Sequence, residues 1–224
     1  MTRRVERPGV RDGYDRWSET YDATPNPVVA VDRRHTLTAL AAEPGERVLD
    51  AGCGTGFHLG RLAEARVRCL GLDFSSGMLR QARRTAPAAR LAQADLNGGF
   101  PVRPGAFDAL VASLVSEHLV DLRVFFAQAF AALRSGGRIV LSAFHPDLAR
   151  AGIEANFERD GIEYRLGAAR HTVDDYLNQI SDAGFVGLGW QTHAGDARLV
   201  DEIPSAREYL GEPLILLVQA RTRD

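Results

Sequence analysis

The stretch VLDAGCGTG, residues 48–56, limits the possible folds of this chain more than any other. Apolar Val48 and Leu49 lead into an acid, Asp50, and Gly52, Gly54 and Gly56 then alternate with Cys53 and Thr55. RVLDAG reads as a strand and TGFHLGRLAEA as a helix. Glycines at such a junction let a ligand approach backbone that a Cβ would block. The unit then repeats. VRCLGLD is a second strand, SSGMLRQARRTA a serine-capped helix, ARLAQAD a third strand and AFDALVASLV a fourth. A helix from about Asp121 to Leu133, an SGG turn and the strand RIVLSAF follow. This alternation predicts an α/β fold, a Rossmann-like, doubly wound, mainly parallel sheet. The continuous apolar runs suit strands covered on both faces.

The flanks differ from this core. Tyr14, Trp17 and Tyr21 recur at helical spacing within residues 11–24, and Asn26-Pro27 reads as a cap and first residue of a helix running to about Ala42. After the fifth strand, Asp160-Gly161 is a hairpin turn signal between arms near 153–158 and 162–166. Thr172 opens another helix, and GFVGLGW and PLILLVQAR close the chain as strands. With 224 residues and no linker or repeat, the expectation is one domain: a helical cap over 1–44, a core over 45–144 and a hairpin lid over 145–172.

Composition removes several chemistries. All 27 basic side chains are arginine, so a Schiff-base lysine and a Walker lysine are both absent. A net charge of −2 offers no general attraction to nucleic acid. Cys53 and Cys69 form neither a disulfide framework nor a zinc spacing, and no apolar run reaches membrane-spanning length. The expected setting is a reducing cytoplasm, with no membrane and no nucleic acid as partner.

The glycine spacing is G-x-G-x-G, with Phe57 where a dinucleotide loop would continue toward its third glycine, which argues against a nicotinamide dehydrogenase. Asp50, Asp73 and Asp95 all fall at carboxyl ends of predicted parallel strands, the edge where open α/β sheets bind ligands. Three carboxylates would repel a pyrophosphate but suit a sulfonium amino acid. VLDAGCGTG, GLDFSSGML, AQADLNGGFP, FDALVASLVSEHLVDL and LRSGGRIVLS occur in order. Across these segments the chain resembles the class I S-adenosylmethionine-dependent methyltransferases, in particular the small-molecule, type 11-like group. The resemblance implies a seven-stranded sheet in the order 3-2-1-4-5-7-6 with strand 7 antiparallel.

By position, the resemblance assigns the cofactor S-adenosylmethionine to a defined set of residues. Gly52, Cys53 and Gly54 would line its methionine part, with Asp50 either accepting from its amino group or satisfying loop amides. Asp73 would hold the ribose. Phe74 and Met78 would flank the adenine, and Asp95 and Leu96 would meet its amine. Ser113 would lie under the sulfonium, and Tyr14 and Tyr21 would close over the whole. Cys53 is expected to be a small residue here, not a nucleophile. His118 and His145, each following a strand at the ligand edge, are the candidate bases. Glu117 and Asp121 could orient His118, or be solvated acids at a helix start. His35, His58 and His193 read as surface residues, and no metal cluster is recognisable. Trp17, Phe157, Tyr164, Arg165 and His171 are the candidate acceptor contacts. The hairpin carrying some of them could otherwise cover a sheet edge or join two copies in a homodimer.

The expected function is methyl transfer to an O or N atom of a small-molecule acceptor, of the kind used in secondary metabolism. The alternatives are a C-methyltransferase acting on a quinone- or polyketide-like acceptor, and a noncatalytic S-adenosylmethionine-binding partner of another enzyme.

Overall fold

The structure, a computed structural model, describes residues 4–224. The described chain opens with β1 (Arg4–Glu6) and α1 (Val10–Trp17), followed by a 3-10 turn at Tyr21–Ala23 and α2 (Pro27–Leu40). The single helix expected over 11–24 is therefore broken after Trp17, yet its aromatics still cluster. Ring centroids lie 5.9 Å apart for Tyr14 and Trp17 and 4.8 Å apart for Trp17 and Tyr21. α2 starts as its sequence dictates. Asn26 Oδ1 accepts from the N–H groups of Val28 and Val29 at 3.0 and 3.2 Å, satisfying donors the helix cannot pair itself.

The core follows as β2 (Arg47–Ala51), α3 (Phe57–Glu64), β3 (Arg68–Asp73), α4 (Ser76–Thr85), β4 (Arg90–Gln93), β5 (Phe107–Ser113), α5 (Leu122–Ala132) and β6 (Leu133–Phe144). β6 absorbs the SGG expected as a turn. Gly136 takes a φ of 70°, and the pairing with β5 shifts register between Phe107 and Ala109, so the glycines form an irregularity within the strand. The remaining elements are α6 (Pro146–Arg150), β7 (Asn156–Arg159), β8 (Ile162–Arg165), α7 (Val173–Asp182), β9 (Val186–Ala194), α8 (Ala197–Glu202) and β10 (Pro213–Arg221). α6 and α8 are not foreseen in the sequence pattern.

The main sheet runs β4-β3-β2-β5-β6-β10-β9, with β10 antiparallel to both neighbours. Counted within the sheet, that is the order 3-2-1-4-5-7-6. Val48, Leu49, Leu110 and Val111 of the central strands are fully buried. One face packs on Phe125 and Phe126 of α5 and on Tyr176 and Ile180 of α7, the other on Leu40 of α2 and Leu62 of α3. A fully buried side chain of this kind contributes about 1.5–3 kcal/mol, so the two faces carry most of the stability.

A second, small sheet covers the ligand edge. β1 pairs in parallel with β8, and β8 pairs with β7 through the expected hairpin. Asp160 and Gly161 both take left-handed backbone, φ 54° and 74°, as a tight hairpin turn matched to strand twist requires. Part of the cap expected to be helical is thus a strand, and the first hairpin arm begins at Asn156, later than expected. The core of this lid is only Trp17, Phe157, Tyr164 and Leu166 with their half-buried neighbours. So little apolar burial marks the lid as the low-stability part of the fold. Among the described residues, no helix is long and apolar enough to cross a membrane.

Candidate active site

The loop after β2 is pinned to β3, since the N–H groups of Gly52 and Cys53 both donate to Leu72 O, at 2.8 and 2.9 Å. This turns the glycines onto a cavity of about 620 Å³ at the carboxyl ends of the strands. Its lining includes Gly52, Gly54, Asp73, Phe74, Met78 and Asp95. Leu96, Ser113, Tyr14, Tyr21 and His118 complete the expected set that meets there. A Cβ on Gly54 would have no protein atom within 4 Å, so the space above this glycine, on the cavity wall, is open to a ligand. Asp73 is held rigidly. Its Oδ2 accepts from Gly54 N–H and its Oδ1 from Ser75 N–H, both at 2.9 Å, which leaves lone pairs on each oxygen for ligand hydroxyls. Asp95 is fixed by accepting from Asn97 N–H at 3.0 Å.

Asp50 does not satisfy loop amides. It is buried, and neither carboxylate oxygen has a hydrogen-bond partner. Burial, then the charges of Asp73 and Asp32, push its carboxyl up to about 8. A carboxyl whose folded value lies above its unfolded one destabilises the fold progressively as pH rises between the two. The cofactor-free protein should therefore melt at lower temperature as pH is raised from about 5 to 8. Asp50→Asn should flatten part of that slope; Asp73 and Glu117, also shifted up, supply the rest. Melting curves with the same pH slope in both proteins would contradict this. Cys53 is buried, and burial raises its thiol well above the ordinary range, so a thiolate there is disfavoured.

An adjoining cavity of about 400 Å³ is lined by Gly52, Cys53, Gly54 and Ser113, and also by Asp32, Arg33 and His58. Of the last three, Asp32 and Arg33 do not stand out in the sequence, and His58 reads there as a surface residue. Asp32 Oδ2 accepts from Ser113 Oγ at 2.8 Å and Oδ1 from Thr36 Oγ1 at 2.6 Å, with His58 Nε2 3.4 Å away. The signal was an acid in VVAVD, on the same helix face as apolar Val28 and Val31. His58 is buried in this network and is not a surface residue. His35 and His193 are half-buried and stack on each other at 3.7 Å. Arg33 ion-pairs with Asp22, whose Oδ1 also accepts from Thr55 Oγ1 at 3.2 Å, tying the 3-10 turn that carries Tyr21 to the glycine loop.

The lid helix is latched at two points. Asp15 Oδ1 accepts from Ser75 Oγ at 2.7 Å and from Gly77 N–H at 2.6 Å, at the start of α4. Tyr14 OH shares a 2.8 Å hydrogen bond with His118 Nε2. Burial pulls His118 down to about 4, so at neutral pH it is an uncharged imidazole and a poor proton acceptor. His145 lines neither cavity. Its Nδ1 accepts from Asp147 N–H at 3.2 Å and caps α6, while Nε2 lies 3.3 Å from Thr192 Oγ1. The geometry removes it as a candidate base.

A larger cavity, about 1000 Å³, lies on the other side of Tyr14, Tyr21 and Leu114, which line both. Trp17 faces it, as expected of an acceptor contact. The other expected contacts do not line it. Phe157 and Tyr164 are cross-strand partners stacked at 4.9 Å, and Phe157 stacks on Trp17 at 5.1 Å, so the pair forms the core behind the wall. Arg165, on the alternate face of β8, pairs with Glu163 at 2.7 Å. His171 Nε2 bonds Leu119 O at 3.0 Å and stiffens the approach to α7. Glu117 does line the cavity. It is only 8% exposed, its Oε2 has no hydrogen-bond partner, and burial pushes it up to about 7, which overturns its reading as a solvated acid. Asp121 does start a helix, accepting from Arg123 N–H at the cap of α5.

A sequence model of the family described as "Methyltransferase domain" matches residues 49–141. The demethylmenaquinone methyltransferase of Clavibacter sepedonicus is 32% identical over 187 residues, 78% of this chain and 76% of that protein. The demethylmenaquinone methyltransferase of Beutenbergia cavernae is 34% identical over 136 residues, 58% of this chain and 56% of that protein. The chain thus spans little more than half the length of several curated relatives it matches. Among solved structures, an S-adenosylmethionine-dependent methyltransferase from Mesorhizobium loti is similar, with 25% identity, a TM-score of 0.71 and coverage of 87% of this chain and 99% of that one.

Proposed function

The chain belongs to the class I S-adenosylmethionine-dependent methyltransferases, and on that premise we propose that it transfers a methyl group to an oxygen or nitrogen atom of a small-molecule acceptor seated in the 1000 Å³ cavity. The observation that carries the reading is the pair of cavities meeting at Tyr14, Tyr21 and Leu114, one with the donor set for the cofactor and one free for an acceptor. The residues fit S-adenosylmethionine: Gly54 leaves room and Asp73 offers lone pairs on two fixed oxygens, while Asp50, buried and unpartnered, lines none of the three cavities. When bound, this cofactor supplies a methyl group already activated on positive sulfur.

The protein's part is then to bind, orient and exclude water. In this reading Asp73 holds the ribose, Phe74 and Met78 flank the adenine, and Asp95 with Leu96 meets its amine. Gly52, Cys53 and Gly54 line the methionine part, with Asp50 near its amino group and Ser113, fixed by Asp32, near the sulfur. Tyr14 and Tyr21 close the seam, His118 orients Tyr14, and Trp17 faces the acceptor. Good orientation alone can supply roughly 7–11 kcal/mol of a barrier. The organisation proposed is a cap over 1–44, a cofactor core over 45–144 and a lid over 145–172, in a reducing cytoplasmic setting that suits the two free cysteines.

A second reading is C-methylation of a quinone-like acceptor. It is favoured by the names of the two bacterial relatives and by apolar walls at Val28, Val29, Leu148 and Ile153. Calorimetry tests the shared premise. Heat is expected with S-adenosylmethionine and none with NAD; silence with the former at high protein concentration would overturn the proposal.

A further inference from the structure

We propose that the larger cavity selects a cationic amine with an apolar or aromatic body, and that Glu117 binds its ammonium group and takes the proton that must leave before the nitrogen can be methylated. This deepens the methyltransferase reading above and rests on it.

A buried carboxylate with an unpartnered oxygen is costly, and three things can relieve it: a proton, a water or a cation. Among the residues lining this cavity, the charged side chains are Glu117 and Glu154 alone. Glu154 is already answered, by Arg7 at 2.9 Å and by Arg165 at 3.8 Å. Glu117 receives nothing comparable from the lining. The groups around it are negative or neutral: Asp32 on α2, the tyrosines of α1, the 3-10 turn and α7 (Tyr14, Tyr21, Tyr176), and the uncharged His118 beside it in sequence. Of the three, a cation alone would make the cavity selective, and with no free cationic side chain in the lining it would come with the ligand. Tyr14, Trp17, Tyr21, Phe144 and Tyr209 supply aromatic lining, which attracts an ammonium and accommodates an apolar body equally well. A carboxylate-bearing acceptor would meet only like charge.

The seam shared with the cofactor cavity puts this chemistry where it is needed. An ammonium has no lone pair. One N–H bond breaks and its proton passes to the Glu117 carboxylate; the freed pair forms the N–C bond as the sulfur–methyl bond breaks with its pair kept on sulfur. The positive charge given up by the sulfonium leaves on the methylated ammonium, and the substrate's own proton, held on Glu117, passes to solvent after release.

The test uses two probes of one shape, 2-naphthylmethylamine and 2-naphthylmethanol, titrated by calorimetry into the full chain with S-adenosylhomocysteine present. At about pH 8 the amine should bind at least roughly tenfold more tightly, and the preference should shrink toward pH 5.5 as Glu117 is protonated. Glu117→Gln should bring the ratio close to one while leaving S-adenosylhomocysteine affinity unchanged. Equal affinities in the natural protein, or a preference that survives Glu117→Gln, would overturn the proposal. If the variant does not fold, the pH series on the natural protein decides alone. A natural protein that fails to bind S-adenosylhomocysteine would instead sink the methyltransferase reading, so the two failures are distinguishable.

Discussion

Asp73→Asn is expected to lower affinity for S-adenosylmethionine by more than tenfold while the protein stays folded. Both Asp73 oxygens accept backbone N–H groups, from Gly54 and Ser75. An asparagine must present its NH2 to one of those donors, so one amide loses its acceptor and the loop carrying Gly54 is pushed from its position. The carboxylate charge that would receive the ribose hydroxyls is lost as well. A hydrogen bond to a charged group is worth about 1.5–3 kcal/mol, and about 1.4 kcal/mol is already tenfold. Calorimetry on the variant, with a melting curve beside it, separates lost binding from lost fold. Undiminished affinity would show that the ligand edge is assigned wrongly.

Gly56→Ala is expected to act on stability instead. Gly56 takes a φ of 83° just before α3, and a Cβ there would sit 2.9 Å from Ala82 Cα and 3.0 Å from its Cβ. Those atoms belong to α4, so relief requires moving a helix. Left-handed backbone costs a non-glycine residue about 1–2 kcal/mol, and overpacking about 1–3 kcal/mol more. At about 2–4 °C per kcal/mol for a chain of this size, the melting temperature should fall by roughly 5–15 °C. Gly54→Ala is the informative partner. Its φ of 52° carries the same left-handed cost, but no protein atom lies within 4 Å of its would-be Cβ, so it should escape the overpacking and cost about 1–3 kcal/mol less. Similar melting temperatures for the two variants would mean that the loop is not built as described.

The sheet was legible because its signals are local. An apolar run such as ALVAS, a loop of glycines and a serine or asparagine cap each act over a few residues, and the strand order follows from the family they resemble. The cofactor edge was legible for the same reason: Asp73 and Asp95 are marked by standing at strand ends. The rest depends on what packs across the chain. Nothing in FERDGIEYR tells whether Phe157 and Tyr164 face a ligand or Trp17; that depends on β1 and α1 docking against the hairpin. His145 looked equivalent to His118 in sequence, and they part only because Pro146 begins a helix that His145 caps. Glu117 and Asp32 were hard to weigh because an acid beside a helix start, or within one, is usually solvated. Their burial depends on tertiary contacts: Asp32 is covered where α2 meets Ser113 at the end of β5, and Glu117 where the chain beyond the hairpin, at Ala169, bonds its backbone carbonyl.

The pairing of Arg4–Glu6 with Ile162–Tyr164 sets an order of events during synthesis. β1 is made long before its partner, and α1 beside it, so both must wait while the ribosome completes the first five strands of the main sheet, β2 to β6. Closing so long a loop is tolerable thermodynamically, since its entropy grows only slowly with length. In time, however, the separation is decisive, because chains emerge at only about 5–20 residues per second. The glycine loop and its acids, all within residues 50–95, are therefore synthesised well before the hairpin that covers them. The hairpin that α1 packs against, and with it the roof of the site, is thus made after the cofactor edge but before the last two strands of the main sheet, β9 and β10.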